Sequence, residues 1–171
     1  HEWDGTDVKV CVILDDASRM VLAGREFTEI NTENSMLIID QLVDKFWWLC
    51  PMRELILDHG SEFGAHKIHD DGSWNSEFKD HLKKYGIKPI LARMKHPQTN
   101  GKLERFFGEY VKHRSVFHSF DEFITWYNDR PHGSLNFQSL ETPERVFRRK
   151  MPLEAYFAIG HRTVWVVISY E

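Results

Sequence analysis

The chain has 171 residues, long enough for one sizeable core, and its 42% hydrophobic and 13% aromatic content excludes a disordered tail. No apolar run approaches the roughly 20 residues that cross a bilayer, and the start, His1-Glu2-Trp3-Asp4, lacks the basic-then-apolar pattern of a secretory leader, so an intracellular protein is expected. The formal charge of −4 speaks weakly against a polyanionic partner, but residues 81–150 hold 14 Lys and Arg against 7 Asp and Glu while the remainder holds 8 against 19. A basic half of this kind is compatible with nucleic acid, and it is also what a solvated charged face looks like.

Val8, Val10, Val12 and Leu14 alternate with Asp7, Lys9 and Cys11, the period-two signature of a strand. Asp15-Asp16-Ala17-Ser18 supplies a turn, and Met20-Val21-Leu22-Ala23 returns as the second arm of a hairpin. Asn31 or Thr32 caps a helix in which Leu37, Ile38, Leu42, Val43, Phe46 and Leu49 recur at helical spacing, with Pro51 as its stop. Glu54 to Leu57 reads as a short buried strand that delivers Asp58 at its end. Residues 59–73 have no periodicity and read as a loop. Phe78, Leu82 and Tyr85 mark a helix ended by Gly86, and Ile87 to Leu91 a further strand. A polar segment with Pro97 and Gly101 leads into a helix carrying Leu103, Phe106, Phe107, Tyr110 and Val111. Helical segments follow near 119–129 and 142–149, and Thr163 to Ile168 is one more strand whose partner the sequence leaves open. Strands first, then helices alternating with strands, predict an α/β fold with a mixed sheet and helices on both faces. We divide the chain into a core over 1–150 and a C-terminal extension over 151–171.

Three carboxylates stand in informative places. Asp is depleted in strands, so Asp4 beside the first strand asks for a reason. Asp58 closes an apolar strand and opens Asp58-His59-Gly60-Ser61; ligand sites of open sheets gather beyond the carboxyl ends of strands. Glu104 is early in a helix next to Leu103 and Phe106-Phe107, which puts it near the core margin. Singly, each is an ordinary turn, cap or surface residue. If the three converge, their repulsion requires a cation, and hard oxygen donors with open positions suit Mg2+ or Mn2+.

The motifs around these carboxylates resemble the integrase core of retroviral integrases and insertion-sequence transposases. They are Trp3-Asp4-Gly5-Thr6, Leu14-Asp15-Asp16-Ala17-Ser18-Arg19, Asp58-His59-Gly60-Ser61-Glu62-Phe63, and the run from His96-Pro97-Gln98-Thr99-Asn100-Gly101 through Lys102-Leu103-Glu104-Arg105-Phe106. Tyr127-Asn128-Asp129-Arg130-Pro131-His132 and Thr142-Pro143-Glu144 continue the pattern in order, so the resemblance spans about residues 3–148. It implies a ribonuclease H-like fold with a mixed five-stranded sheet, and an Asp-Asp-Glu triad of Asp4, Asp58 and Glu104 that is both catalytic and the ligand set for two Mg2+ or Mn2+ ions. It further implies a polynucleotidyl transferase that cleaves phosphodiester bonds at element ends when water attacks, and joins strands to target DNA when a 3′-hydroxyl attacks. DNA ends and target DNA are the implied partners, a homo-oligomer the implied working form, and an upstream end-recognition domain is expected outside this chain.

Departures from the family pattern qualify the match. The step from Asp58 to Glu104 is 46 positions, longer than usual, which predicts an insertion in the loop 64–74. His59 stands where Asn is commoner. Asn100, one helical turn before Glu104, is a candidate DNA contact, and Lys102, Arg105 and Lys112 are candidate phosphate contacts. His66-Lys67-Ile68-His69 invites zinc but has no neighbouring cysteine and reads as loop histidines. Cys11 and Cys50 read as buried reduced thiols, and the tryptophans as core or interface rather than base-stacking platforms. Arg148-Arg149-Lys150 reads equally as a phosphate contact or as a favourable helix end. Tyr127, Asn128 and Arg130 read as bracing, His132 as a residue that could touch substrate, and Glu62 as an accessory carboxylate. Two other readings stand beside the transferase: a nuclease of the same fold that never joins strands, and a retired, transposase-derived DNA-binding module.

Overall fold

The computed structural model describes residues 2–3, 6–46, 52–57, 63, 76–91, 97–151 and 165–170. Its elements in chain order are β1 (Glu2–Trp3), β2 (Thr6–Asp7), β3 (Lys9–Asp15), β4 (Val21–Phe27), α1 (Thr32–Phe46) and β5 (Glu54–Leu57). They are followed by α2 (Glu77–Lys84), β6 (Lys88–Leu91), α3 (Pro97–His113), α4 (Phe120–Asp129), α5 (Pro143–Lys150) and β7 (Trp165–Tyr170).

The main sheet has the strand order β4-β3-β7-β5-β6. Strand β3 runs antiparallel to β4 and β7, while β5 runs parallel to β7 and β6. The strand whose partner the sequence leaves open is therefore the central one, with Val10 opposite Tyr170 on one side and Leu55 opposite Trp165 on the other. With both edges of β3 filled, β1 and β2 pair with each other in a separate two-stranded ribbon, Trp3 opposite Thr6. The main sheet is thus not the whole of the strand content.

Alternation along β3 divides the core. Cys11 and Ile13 face one layer with Ile38, Ile39 and Leu42 of α1 and Phe78 and Leu82 of α2. Val10, Val12 and Leu14 face the other with Leu103, Phe106, Phe107 and Tyr110 of α3 and Phe123 and Tyr127 of α4. The apolar/polar alternation seen in the sequence understates this: Cys11 is as buried as its neighbours because helices cover both faces. Each such large side chain contributes about 1.5–3 kcal/mol by leaving water, so two dry layers rather than one hold β3 in register. Gly24 of β4 permits the close packing against β3; a Cβ there would lie 2.7 Å from Val12 Cγ1.

The caps follow the sequence. Asn31 Oδ1 accepts from Asn34 N at 2.9 Å at the start of α1, Ser76 caps α2, Ser119 caps α4 and Thr142 caps α5 with Pro143 in its first turn. Gly86, at φ 66°, ends α2 in the left-handed conformation that glycine tolerates best. Pro89 is accommodated in β6 because that strand is an edge, where one side needs no N–H donor. Several boundaries differ from expectation: β4 continues past Ala23 to Phe27, and β7 continues past Ile168 to Tyr170. The segment 97–101, read as polar lead-in, is already helix, since α3 begins at Pro97. Proline's fixed φ and missing N–H suit a first helical position, and Gly101 costs only about 1 kcal/mol against the packing of Leu103, Phe106 and Tyr110. Leu49 and Pro51, and the loop 64–74, lie outside the described residues.

Candidate active site and an adjoining basic cleft

Helix α3 is the element on which most of the candidate side chains stand. Leu103, Phe106, Phe107 and Tyr110 bury one face, and Glu104 emerges beside them, exposed rather than at the core margin. Asp4 and Asp58 lie outside the described residues, as do His59 and Glu62. Strand β5 is described as far as Leu57, the residue before Asp58, and Ile56 packs in the same layer as Leu103. Among the described residues no group of three or more His, Cys, Asp and Glu side chains could hold a metal ion.

The turn after β3 is built by its own side chains. Asp15 is 4% exposed, and its Oδ2 accepts from Ser18 N at 2.9 Å and from the Ser18 hydroxyl. Met20 N donates to Ser18 Oγ at 3.2 Å, and Arg19 takes φ 67° to complete the reversal. Asp16 instead faces α3, where Lys102 Nζ pairs with it. Lys150 Nζ donates to Ala17 O at 2.9 Å from the end of α5. This turn therefore ties β3 to the beginning of α3, two residues before Glu104, and to α5.

The proposed DNA contacts separate. Lys102 is engaged with Asp16 and 27% exposed. Asn100 belongs to the first turns of α3, and its side chain lies outside the described residues. Arg105 and Lys112 line an open cleft on the next face of α3, together with Gly108, Glu109, Arg130 and His132. Gly133 is in the same wall, its Cβ direction 4.0 Å from Arg105 Nη1.

Arg130 is held from two sides. Its Nη1 pairs with Glu109 Oε2 at 2.6 Å, and its guanidinium lies over the Trp126 ring at 4.5 Å. That ring also packs on His113 and Phe117, so Trp126 is structural rather than a free stacking platform. Burial pushes the Glu109 carboxyl up, but the Arg130 hydrogen bond and the charges of Arg130, His113 and Lys112 more than reverse this and leave it below its ordinary value. His132 is 2% exposed, with Nδ1 2.9 Å from Ser134 Oγ and Nε2 3.3 Å from Tyr127 Oη. Burial, then the charges of Arg105, Arg130 and Arg19, lower its pKa from 6.5 to about 4, so it is neutral at pH 7. The bracing role read from Tyr127-Asn128 has a concrete form. Tyr127 is fully buried against Phe106, and Asn128 exchanges two hydrogen bonds with the Val21 backbone of β4, at 2.9 and 2.8 Å.

Other candidates resolve simply. Arg148 pairs with Glu144 at 2.7 Å and Arg149 with Glu141, which favours the helix-end reading of that basic run. His66, His69, Cys50, Trp47 and Trp48 lie outside the described residues. Sequence reasoning did not bring Arg19 and Arg130 together with Arg105. Their separation along the chain hides it, and the only signal was the spacing of the family motifs in which each stands.

No protein-family model matches the chain. Among solved structures it is similar to the catalytic core domain of BIV integrase, with a TM-score of 0.57 and 17% identity over 82% of this chain and 85% of that one. It is also similar to a chain of the simian T-cell lymphotropic virus intasome, determined in complex with the PP2A regulatory subunit B56 gamma, with a TM-score of 0.62 and 12% identity. That match covers 90% of this chain and 52% of the other, so the chain spans about half of that protein's length. The chain has the ribonuclease H-like fold of an integrase catalytic core.

Proposed function

We propose that the chain is the catalytic core of a metal-dependent DNA transposase or integrase, with Asp4, Asp58 and Glu104 as the ligands of two Mg2+ or Mn2+ ions. The observation that carries the reading is the integrase-core fold with Glu104 exposed on α3 while its neighbour Leu103 is locked into the core. A carboxylate fixed at its backbone and open at its tip has the donor chemistry a hard cation takes, and Asp58 follows the last described residue of β5. Bound there, the ions would supply Lewis-acid activation of the attacking oxygen and stabilisation of the leaving one. In this reading the protein's own contribution is to present Glu104 from α3, whose neighbouring Leu103 is packed into the core. Lys102, paired with Asp16, anchors the beginning of α3 so that Glu104 keeps its place. DNA ends and a target duplex are the substrates in this reading, and a homo-oligomer its working form.

The test is an assay of cleavage and strand transfer in Mn2+, comparing the wild type with Asp58→Asn and Glu104→Gln. Each substitution is expected to lower both activities by more than about 100-fold, since even groups behind metal ligands are worth 10–100-fold. Unchanged activity in either variant would sink the triad. Cleavage without joining would make the domain a nuclease, and a wild type that binds DNA but cuts nothing would make it a binding module.

A further inference from the structure

A second cleft opens between α2 and the edge strand β6. It holds about 460 Å³ and is lined by Lys79, Lys83, Gly86, Ile87, Lys88 and Pro89. Its rim is cationic and its floor is apolar. Gly86, left-handed at φ 66°, has nothing within 4 Å of where a Cβ would stand, so the middle of the floor stays open. Ile87 is sunk into the core, 2% exposed, while Pro89 and the methylene stems of the lysines supply carbon surface. Among the described residues no carboxylate lines the cleft. Two of its ammonium groups have loose partners outside it. Lys83 pairs with Asp80 and Lys88 with Glu54, both at 3.6 Å, and the lysine side chains are 69% and 72% exposed. Exposed pairs of this kind are screened and contribute little, so both ammonium groups are able to turn to an incoming anion.

The strand edge itself rejects another strand. Lys88 N donates inward to Arg53 O at 2.8 Å, so the alternation of a parallel ladder turns the backbone of Pro89 outward. Proline offers no N–H there, which is one way an edge avoids adding a neighbour. An occupant of the cleft is therefore held by side chains and not by main-chain pairing.

These features select the chemistry of that occupant. A nucleic-acid backbone would meet the lysines but leave the apolar floor uncovered. An acidic segment with an aliphatic residue between its carboxylates satisfies rim and floor together. Lys79 and Lys83 stand one helical turn apart on one wall, and Lys88 belongs to the other.

We propose that the cleft between α2 and β6 docks a short acidic segment of a partner protein. An aliphatic side chain sits over Gly86 and Pro89, and its flanking carboxylates pair with Lys83 and Lys88. Helix α2 packs in the layer of α1, whereas α3 packs in the opposite layer, so a partner held here leaves the candidate active site uncovered. The surface does not depend on the transferase reading.

The experiment adds a fluorescein-labelled peptide, Gly-Glu-Glu-Leu-Glu-Glu-Gly, to the full chain and reads anisotropy, with amide shifts locating the site. Wild type is expected to bind, with the largest shifts at Gly86, Ile87 and Lys88. Lys83→Glu/Lys88→Glu alters exposed positions, and a thermal melt verifies its folding. It is expected to weaken binding more than about 10-fold, and to bind the Lys-for-Glu counterpart of the peptide, which wild type rejects. Replacing the peptide's Leu by Ser is expected to cost wild type about 10-fold. A peptide that does not bind, or shifts that fall elsewhere, overturns the proposal. Equal binding of the Leu and Ser peptides overturns it too, since charge alone would then account for the contact. Self-association lost in the double variant, without peptide binding, assigns the cleft to a second copy of the chain. Duplex binding lost in the same way assigns it to nucleic acid, and either result overturns the proposal.

Discussion

At the scale of single residues, this chain places its polar groups where backbone or charge would otherwise go unsatisfied. Asn128 is the clearest case. Its amide accepts from Val21 N and donates to Val21 O, next to the register shift between Ile13 and Leu14 that bends β3 against β4. Asn128→Ala removes both partners from a residue only 1% exposed, and at about 1–2 kcal/mol for each buried group left unpaired the expected loss is about 2–4 kcal/mol, read from urea unfolding. His132 gives a pH prediction with a definite sign. Its folded pKa, about 4, is below its ordinary 6.5, so between these values the unfolded chain binds a proton that the folded one does not. Stability from this group is complete above pH 6.5 and is lost as pH falls toward 4. In His132→Gln, which cannot titrate, the unfolding free energy should fall less steeply across this window than in wild type. Parallel slopes would exclude the burial and arginine effects on His132.

At the scale of elements, the contacts that orient α3 matter most, because α3 carries Glu104 on one face and the basic cleft on another. Its far end is fixed to the edge strand β4 through Glu26. Arg114 donates to that carboxylate from Nε at 2.7 Å and from Nη2 at 2.9 Å, and Tyr110 Oη donates at 2.6 Å. Burial, with the Glu26 hydrogen bond, raises the Tyr110 phenol well above its ordinary value, so it stays a donor throughout the working pH range. The Arg114 side chain is 7% exposed, and Glu26→Gln is expected to cost about 2–3 kcal/mol, somewhat below a fully buried pair because Glu26 is 23% exposed. A thermal melt reads that loss. If the proposed function holds, strand transfer by the surviving folded fraction should be affected less, because the change is at the end of α3 remote from Glu104. The near end depends instead on Asp16 and Lys102, a pair whose residues stand 86 positions apart and which no periodicity could reveal.

At the scale of the whole molecule, the order of strands and helices was legible because each is encoded locally, by alternation in β3, by caps at Asn31, Ser119 and Thr142, and by Gly86 at the end of α2. The likeness to an integrase core was legible through motifs, while the convergence of Arg19, Arg105 and Arg130 was not, because it depends on packing between segments far apart in sequence. Least legible was the place of the last strand. An apolar run such as Thr163 to Ile168 announces a strand but not its neighbours, and the structure puts β7 at the centre, from Val10 opposite Tyr170 to Asp15 opposite Trp165 along β3 and beside Leu55 to Leu57 of β5. A central strand carries pairing on both edges, so its removal leaves β3 and β5 each with an unsatisfied edge and separates the antiparallel half of the sheet from the parallel half. Ending the chain at residue 164 is therefore expected to abolish cooperative unfolding and to expose the layers on either side of the sheet to a hydrophobic dye. The same truncation supplemented with a peptide of residues 163–171 should regain a cooperative transition, as strand addition to an open edge does. A truncated chain that melts sharply at the full-length temperature would mean that β3 and β5 are joined without β7, and the order β4-β3-β7-β5-β6 would have to be redrawn.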